Sequence, residues 1–494
     1  MLTHCFRDRL ILFIVVFAVL SPLWAAKETL RRGNGAEPDS LNPHLAQGLN
    51  SQNILLDVYE GLFTYDETGE PVLGVADSYR VSEDGLHWQI TLKNSARWSD
   101  GKAVVAADFI HGWRQAVAAS TASPYAFLLD NLRQDGTLQV SSQSPKQLRI
   151  RLNQADPGLA SKLVLPVFAP SAAHRTDKDV YNGAYQIIQH LPHERIELQK
   201  NPYFHAAGNV AIKQVHYLVT ENQNSELLKF RAGELDITET IPDSQLEWLR
   251  THYPKALRIA PYNGSFFLGL NLANPLLSDV NLRKALYWSV DRDILVNKVL
   301  KSGQKPALGL IPGDSQSGNA FDLEKAQHYL AQSQFNPDSD RLELLYNNSN
   351  NQKKTALAVA AMWRQFLGIK TRLKNQEWKV FITTRQGPQK QIFRGGWIAD
   401  YNDPLNYLQL FASSSRFNYY GFKSADYDAL LEQINQTPNQ SARQTLIAQA
   451  EAVLAEERPF IPLYFYVSRH LVNSKLKGFT NNLSDKHLSR YLYF

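Results

Sequence analysis

The sequence predicts a mixed α/β fold of several domains. Stretches with apolar residues at every second position alternate with stretches whose apolar residues recur at three- and four-residue steps. That alternation is irregular, and no segment repeats at a fixed period, which argues against a solenoid or a propeller. The chain has 494 residues, enough for two to four domains.

Trp88, Ile90 and Leu92 alternate with polar neighbours, as a half-buried strand requires. Ser99-Asp100-Gly101 is a turn signal directly after Trp98. Phe109, Trp113 and Val117 stand four apart, on one helix face. Leu148, Ile150 and Leu152 form a second alternating run, and Val215, Tyr217 and Val219 a third. Asn222 to Phe230 reads as a helix stopped by Gly233, with Leu235-Asp236-Ile237 opening another strand. Leu282, Ala285, Leu286 and Ser289 share a helix face for which Asp279 is the N-cap. Leu342 to Asn347 is a strand leading to a helix over Lys354 to Leu367, with Gly368 as its stop.

Hydrophobic residues make up 44% and charged residues 20%, so a packed core is affordable and disorder is not the default. The 9 Trp, 22 Tyr and 23 Phe suit a large concave surface as well as a core. Lys and Arg number 52 against 47 Asp and Glu, and the signs are mixed with no long basic block, which argues against nucleic acid as a partner. Arg7 and Arg9 precede an apolar run of 11 residues, Leu10 to Leu20, followed by Ser21-Pro22-Leu23-Trp24-Ala25-Ala26. That pattern predicts a signal peptide over residues 1–26, cleaved after Ala26 or Ala25; about 20 apolar residues are needed to span a membrane. The one cysteine, Cys5, precedes the apolar run and so cannot be an acylated lipoprotein cysteine. The expected product is periplasmic and free of thiols, which excludes disulfide scaffolds, thiol enzymes and Cys-ligated metals.

Motifs for catalysis fail on spacing. His193-Glu194-Arg195-Ile196-Glu197 ends in Glu where a zinc protease needs a second His, and Ile196 and Leu198 alternate like a strand. Asp400-Tyr401-Asn402-Asp403-Pro404 is dense in oxygen, but Leu405 and Phe411 stand where a calcium loop needs Gly and Glu. G-x-S-x-G, G-x-G-x-x-G and P-loop patterns are absent. No metal and no cofactor is expected.

The most informative stretch is Arg394-Gly395-Gly396-Trp397-Ile398-Ala399-Asp400. A glycine pair permits close approach of another chain, Arg394 offers a fork for a carboxylate, and Asp400 could take an ammonium. The plainer alternative is a strand and turn in which Arg394 and Asp400 are solvated or pair with each other.

At these positions and others the sequence resembles the peptide/nickel/oligopeptide solute-binding family of ABC importers. Trp98-Ser99-Asp100-Gly101 and Asp291-Arg292-Asp293 are patterns of that whole family. Thr121-Ala122-Ser123-Pro124-Tyr125-Ala126 and Ala399-Asp400-Tyr401-Asn402 resemble its oligopeptide branch. The resemblance implies a two-lobed (type II) periplasmic-binding-protein fold with an extra domain in the first lobe. It places lobe I at 27–59, 170–262 and 468–494, the extra domain at 60–169 and lobe III at 263–467, joined by short hinge strands. It implies a monomeric receptor, not an enzyme, that passes an oligopeptide to the permease subunits of an ABC importer. By position, Asp400 matches an aspartate that holds the peptide α-ammonium, Arg394 an arginine for a short peptide's carboxylate, and Arg385 a second cleft arginine. Gln47-Gly48-Leu49 matches a stretch whose backbone pairs with the peptide, and Gly396 and Ile398 flank Trp397. Trp378, Trp397 and Tyr125 match cleft-lining aromatics, for which core packing is the plain alternative.

The sequence departs from that pattern where relatives carry a histidine (here Gln352), a lysine (Leu300) and a glutamate (Gln47). These losses imply an altered length preference or a modified ligand such as a cell-wall (murein) peptide. A nickel chelate, haem or a bile-acid-like solute remains open within the fold. A secreted hydrolase or a chaperone remains open outside it.

Overall fold

The computed structural model describes residues 28–174, 178–313 and 316–494; the expected signal peptide, with Cys5, lies outside the described residues. Two lobes and an inserted domain each carry a sheet and a core of their own.

The first sheet orders its strands Thr29–Gly33, Gln214–Leu218, Arg195–Lys200 and Tyr185–Leu191, with the first pair parallel and the others antiparallel. Its core joins distant parts of the chain: Leu30, Ile54, Tyr217, Ile237, Val472 and Leu492 pack together. In the hairpin before Arg195–Lys200, His193 adopts a left-handed φ of 62° and Ile196 and Leu198 point inward, so the His193 run is a turn and a strand. Leu235–Ile237 does not become a strand. Ile237 makes isolated bridges to Arg32 and Val472: it lies against the edge strand Thr29–Gly33, taking the Gly33 amide on its carbonyl at 2.8 Å, but the pairing goes no further than this one residue.

The inserted domain holds an antiparallel sheet in the order Ala76–Val81, His87–Leu92, Gln147–Arg151, Val140–Ser144. Trp88, Ile90 and Leu92 turn to one side and meet Leu148 and Ile150 across the ladder, as the alternation requires. Helix Ala106–Val117 lays Phe109 and Trp113 on that layer. The Trp98 indole donates to buried Asp108 at 3.0 Å, so the Trp-Ser-Asp-Gly turn is tied to the start of this helix.

The third sheet runs Lys305–Pro306, Phe460–Leu471, Leu257–Leu270, Ile392–Ile398, Leu342–Asn347, Thr371–Gln376. Sequence signals around it hold: Asp279 caps Val280–Trp288 through the Asn281 amide at 2.8 Å, and Gly368 ends Asn350–Leu367 at φ 70°. Leu300 is 4% exposed and packs into this lobe's core.

The lobes are joined by two long strands, where short ones were expected. Leu257–Leu270 has 14 residues and Phe460–Leu471 has 12, and they pair antiparallel from Leu257↔Leu471 to Gly269↔Phe460. At one end Leu471 donates its amide to Thr238 of lobe I at 2.8 Å; at the other, Leu268 and Ile461 enter the lobe III core. The ladder skips between Pro261 and Ser265. Such a bulge bends the strand and re-aims its side chains, and here it turns Tyr262 and Asn263 toward the space between the lobes.

Candidate functional site

A cavity of about 170 Å³ lies at that bulge, and every part of the molecule contributes a wall. Lobe I supplies Gln47, Leu49 and Gln52, and the inserted domain supplies Tyr65 and Tyr125. The third sheet supplies Ile398 to Asn402, and the C-terminal segment supplies Ser484 and Lys486.

Asp400 sits just past strand Ile392–Ile398, where the chain leaves the sheet for the turn at Asp403-Pro404. The Asp400 amide and the Trp397 indole both donate to the buried Asn406 side-chain oxygen, at 3.2 and 2.6 Å, which fixes the exit from the strand. Asp403, a candidate oxygen ligand in the sequence, is instead held by Arg443 with two bonds of 2.9 Å. The Asp400 carboxyl accepts the Tyr125 hydroxyl from the inserted domain. Burial pushes this carboxyl up to about 6, and the Tyr125 hydrogen bond and the charges of Lys486 and Arg416 hold it from rising further. Burial lowers the Lys486 ammonium from its ordinary value, while Asp485 and Asp400 favour its charge. The cavity thus pairs a costly carboxylate with a built-in cation.

A second cluster lies further back along the same strand. Arg394, Gly396 and Ile398 share one strand face by the two-residue period. The Arg394 guanidinium lies 5.7 Å from the centre of the Trp378 ring and 5.5 Å from that of Phe266, and bonds the Tyr466 hydroxyl at 3.4 Å. A side chain at Gly396 would start 2.8 Å from that hydroxyl, so glycine is what admits the Arg394–Tyr466 contact. Arg385, on helix Trp378–Gln386, lies over Tyr419 at 5.0 Å. Burial lowers its guanidinium from the ordinary value, and neighbouring Arg394 adds to that. Among the described residues neither arginine has a carboxylate partner, and the buried Nε atoms of both lack a hydrogen bond. Gln352, in the first turn of helix Asn350–Leu367, leaves its buried Oε1 unbonded as well.

The structure therefore sorts the expected site residues into groups. Asp400, Tyr125, Ile398, Gln47 and Leu49 line one cavity; Arg394, Arg385, Trp378 and Gly396 build the cationic cluster. Arg394 and Asp400 do not pair with each other. Trp397 lies on the opposite strand face, anchored by Asn406 and edge-on to Phe417, in a packing role. Gln47 and Gly48 donate their amides to Asp39 at 2.7 and 2.9 Å, and Leu49 opens helix Leu49–Val58. A peptide pairing with this stretch would thus meet carbonyls and side chains, with both of those N–H groups already engaged. Sequence reasoning missed Lys486, Tyr65, Tyr262 and Asn263. The bulge brings Tyr262 and Asn263 here, the return of the C-terminal segment brings Lys486, and the inserted domain brings Tyr65.

Residues 70–419 match the profile of the bacterial extracellular solute-binding proteins, family 5 (middle part). The chain belongs to this family. Its members are binding proteins, so the cavity is a place of capture and not of turnover. The chain is 32% identical over 491 residues to the periplasmic oligopeptide-binding protein OppA of Escherichia coli, covering 92% of this chain and 90% of that one. It is 30% identical over 530 residues to the probable deoxycholate-binding periplasmic protein YgiS of the same species, covering 98% and 99%. The solved structure of the E. coli murein tripeptide binding protein MppA superposes with a TM-score of 0.79 at 29% identity, over 95% of this chain and 98% of that one. One fold thus carries three ligand descriptions, and the choice among them has to come from the cleft. Among the described residues, no helix is long and apolar enough to cross a membrane.

Proposed function

We propose that this protein is a periplasmic receptor that captures short peptides between its lobes and delivers them, as a monomer, to the permease subunits of an ABC importer. One observation carries the reading: a buried carboxylate stands just past the end of strand Ile392–Ile398, and two arginines without anionic partners, Arg394 on that strand and Arg385 on helix Trp378–Gln386, stand behind it. Six residues separate Arg394 from Asp400, at most ~20 Å of extended chain. With the reach of both side chains, a peptide of about two to five residues spans that gap. Its ammonium pairs with Asp400 and its carboxylate with Arg394. Between them the main chain and ordered water serve any sequence. Two arginines where one terminal carboxylate needs only one favour a second reading, a ligand with an extra carboxylate such as a murein peptide.

The domain limits that accompany this reading are 27–59, 170–262 and 468–494 for lobe I, 60–169 for the inserted domain and 263–467 for lobe III. They are supported by two cores, one built over residues 62–168 with Tyr401 and Leu488 packed onto it, the other over residues 266–464. Lobe closure would follow from a ligand that touches both sides, since only differential contact shifts a hinge equilibrium.

Native mass spectrometry followed by denaturation tests the proposal. Release of co-purified peptides of a few residues is the expected result. A single murein-type species selects the second reading. A protein that purifies empty and shows no thermal shift with a peptide library overturns both, because ligand at 100 times Kd adds about 2.7 kcal/mol.

Lys486 gives a further expectation. Its ammonium already faces Asp400, so an incoming ligand ammonium meets a competitor of the same sign. Lys486→Met should tighten peptide binding about tenfold at pH 7.5, roughly 1.4 kcal/mol. Isothermal titration of a tripeptide reads this directly; unchanged or weaker binding would show that Lys486 contacts the ligand favourably.

A further inference from the structure

We infer that His470, Asp485 and His487 form a binding site for a divalent transition-metal ion, zinc above all, beside the hinge. His470 is the penultimate residue of crossing strand Phe460–Leu471, and Asp485 and His487 lie on the C-terminal segment. The Nε2 atoms of both imidazoles converge on one carboxylate oxygen, at 2.9 Å from His470 and 3.0 Å from His487. One ligand atom from each residue lies within 4.8 Å of the others, the spacing of donors around a single ion.

Each ring is also aimed. The His470 Nδ1 lies 2.9 Å from the Thr238 carbonyl oxygen, to which only an N–H can bond, so Nε2 is the atom that would coordinate, giving up the proton it now shares with Asp485. A backbone carbonyl behind a histidine is the usual device for orienting a ligand imidazole. Phe479 stacks on the His487 ring with centroids 3.8 Å apart, which fixes its plane. Asp485 takes a left-handed φ of 53°, a conformation a non-glycine residue adopts at a cost, and it is this turn that presents the carboxylate to both rings. Two nitrogens and one oxygen, with no sulfur, suit zinc, nickel or copper in their divalent states and leave a position for water. Calcium and magnesium want more oxygen.

The site has a functional address. Lys486, between the two ligands on the C-terminal segment, lines the cavity that holds Asp400. An ion at this place fastens the segment to the crossing strand and so sets where the Lys486 ammonium stands. This inference does not depend on the ligand being a peptide.

The test uses untagged, chelator-treated protein and Zn2+ alone. Equilibrium dialysis with metal analysis should give one equivalent per chain, and Zn2+ should raise the melting temperature. Co2+ in place of Zn2+ should give a visible ligand-field band in the wild-type protein. His470→Gln and His487→Gln should each weaken Zn2+ binding by at least about a hundredfold and abolish the Co2+ band, with circular dichroism confirming that they fold. If either variant does not fold, imidazole proton resonances of the wild-type protein, shifted by Zn2+ at these two rings, decide the matter. Absence of stoichiometric uptake at millimolar Zn2+, or equal binding by wild type and folded variants, overturns the site.

Discussion

Asp400→Asn should weaken peptide binding by two to three orders of magnitude while making the unliganded protein more stable. A ligand ammonium buried against a neutral amide loses its counter-charge, which costs roughly 3–5 kcal/mol. The stability gain follows from the raised carboxyl, at about 6 against an ordinary 3.8. Between those two values the unfolded chain has released its proton and the folded chain still holds it. Stability therefore falls as pH rises through that window, and the loss is complete above about pH 6. Two units at about 1.4 kcal/mol each give about 3 kcal/mol, which partial exposure of the group reduces to about 1–3. Calorimetry of a tripeptide and thermal melts at pH 7 would show opposite signs for the two effects. Loss of both affinity and stability would mean that Asp400 is structural. The same ionisation makes wild-type affinity fall as the pH drops below about 6, and the asparagine variant should lack that dependence.

Arg490→Met should cost about 3–5 kcal/mol of stability, the usual result of leaving a buried charge without its partner. Arg490 donates to Glu60 at 2.6 Å, and His205 lies 2.6 Å from the other Glu60 oxygen. Glu60 is 3% exposed. Burial pushes its carboxyl up, but the His205 hydrogen bond and the Arg490 charge outweigh burial and hold it below its ordinary value. Arg490 also donates to the Thr64 hydroxyl at 2.8 Å, while the Asn182 side chain donates to the Glu60 carbonyl at 2.7 Å. The cluster thus clamps both passages between lobe I and the inserted domain. Urea unfolding should show a lower midpoint, and Glu60→Gln in the Arg490→Met background should recover part of the loss. A shift under 1 kcal/mol would place the strength of the junction elsewhere.

Elements that bury one face by local period were legible in the sequence. His87–Leu92 and Ala106–Val117 sit where alternation and four-residue steps put them, and Asp279 caps as expected at 2.8 Å; Asn222, expected as the first helical residue, is the cap of Gln223–Arg231 through the Ser225 amide at 3.0 Å. What was not legible depends on partners far along the chain. Leu257–Leu270 continues through Pro261, Asn263 and Gly264 because a bulge absorbs the irregularity while Phe460–Leu471 supplies a ladder on both sides of it. Asp400 and Arg394 drew notice through an unusual local run, whereas Lys486 stands among ordinary polar residues and matters only through its neighbour in space. The resemblance implies backbone pairing of a peptide with Gln47-Gly48-Leu49, but the amides of Gln47 and Gly48 are taken by Asp39, only eight and nine residues away.

The clamp around Glu60 joins residues 430 positions apart. Contacts between such distant positions form late, since a long loop must close before they return any energy. The inserted domain can gather most of its core from nearer stretches, with Tyr401 and Leu488 added later, and the third sheet likewise, but the first lobe has to wait for the last residues to arrive. Ligand capture therefore matures only at the end of folding, and a chain whose C-terminal segment has yet to dock offers no finished cavity to bind prematurely.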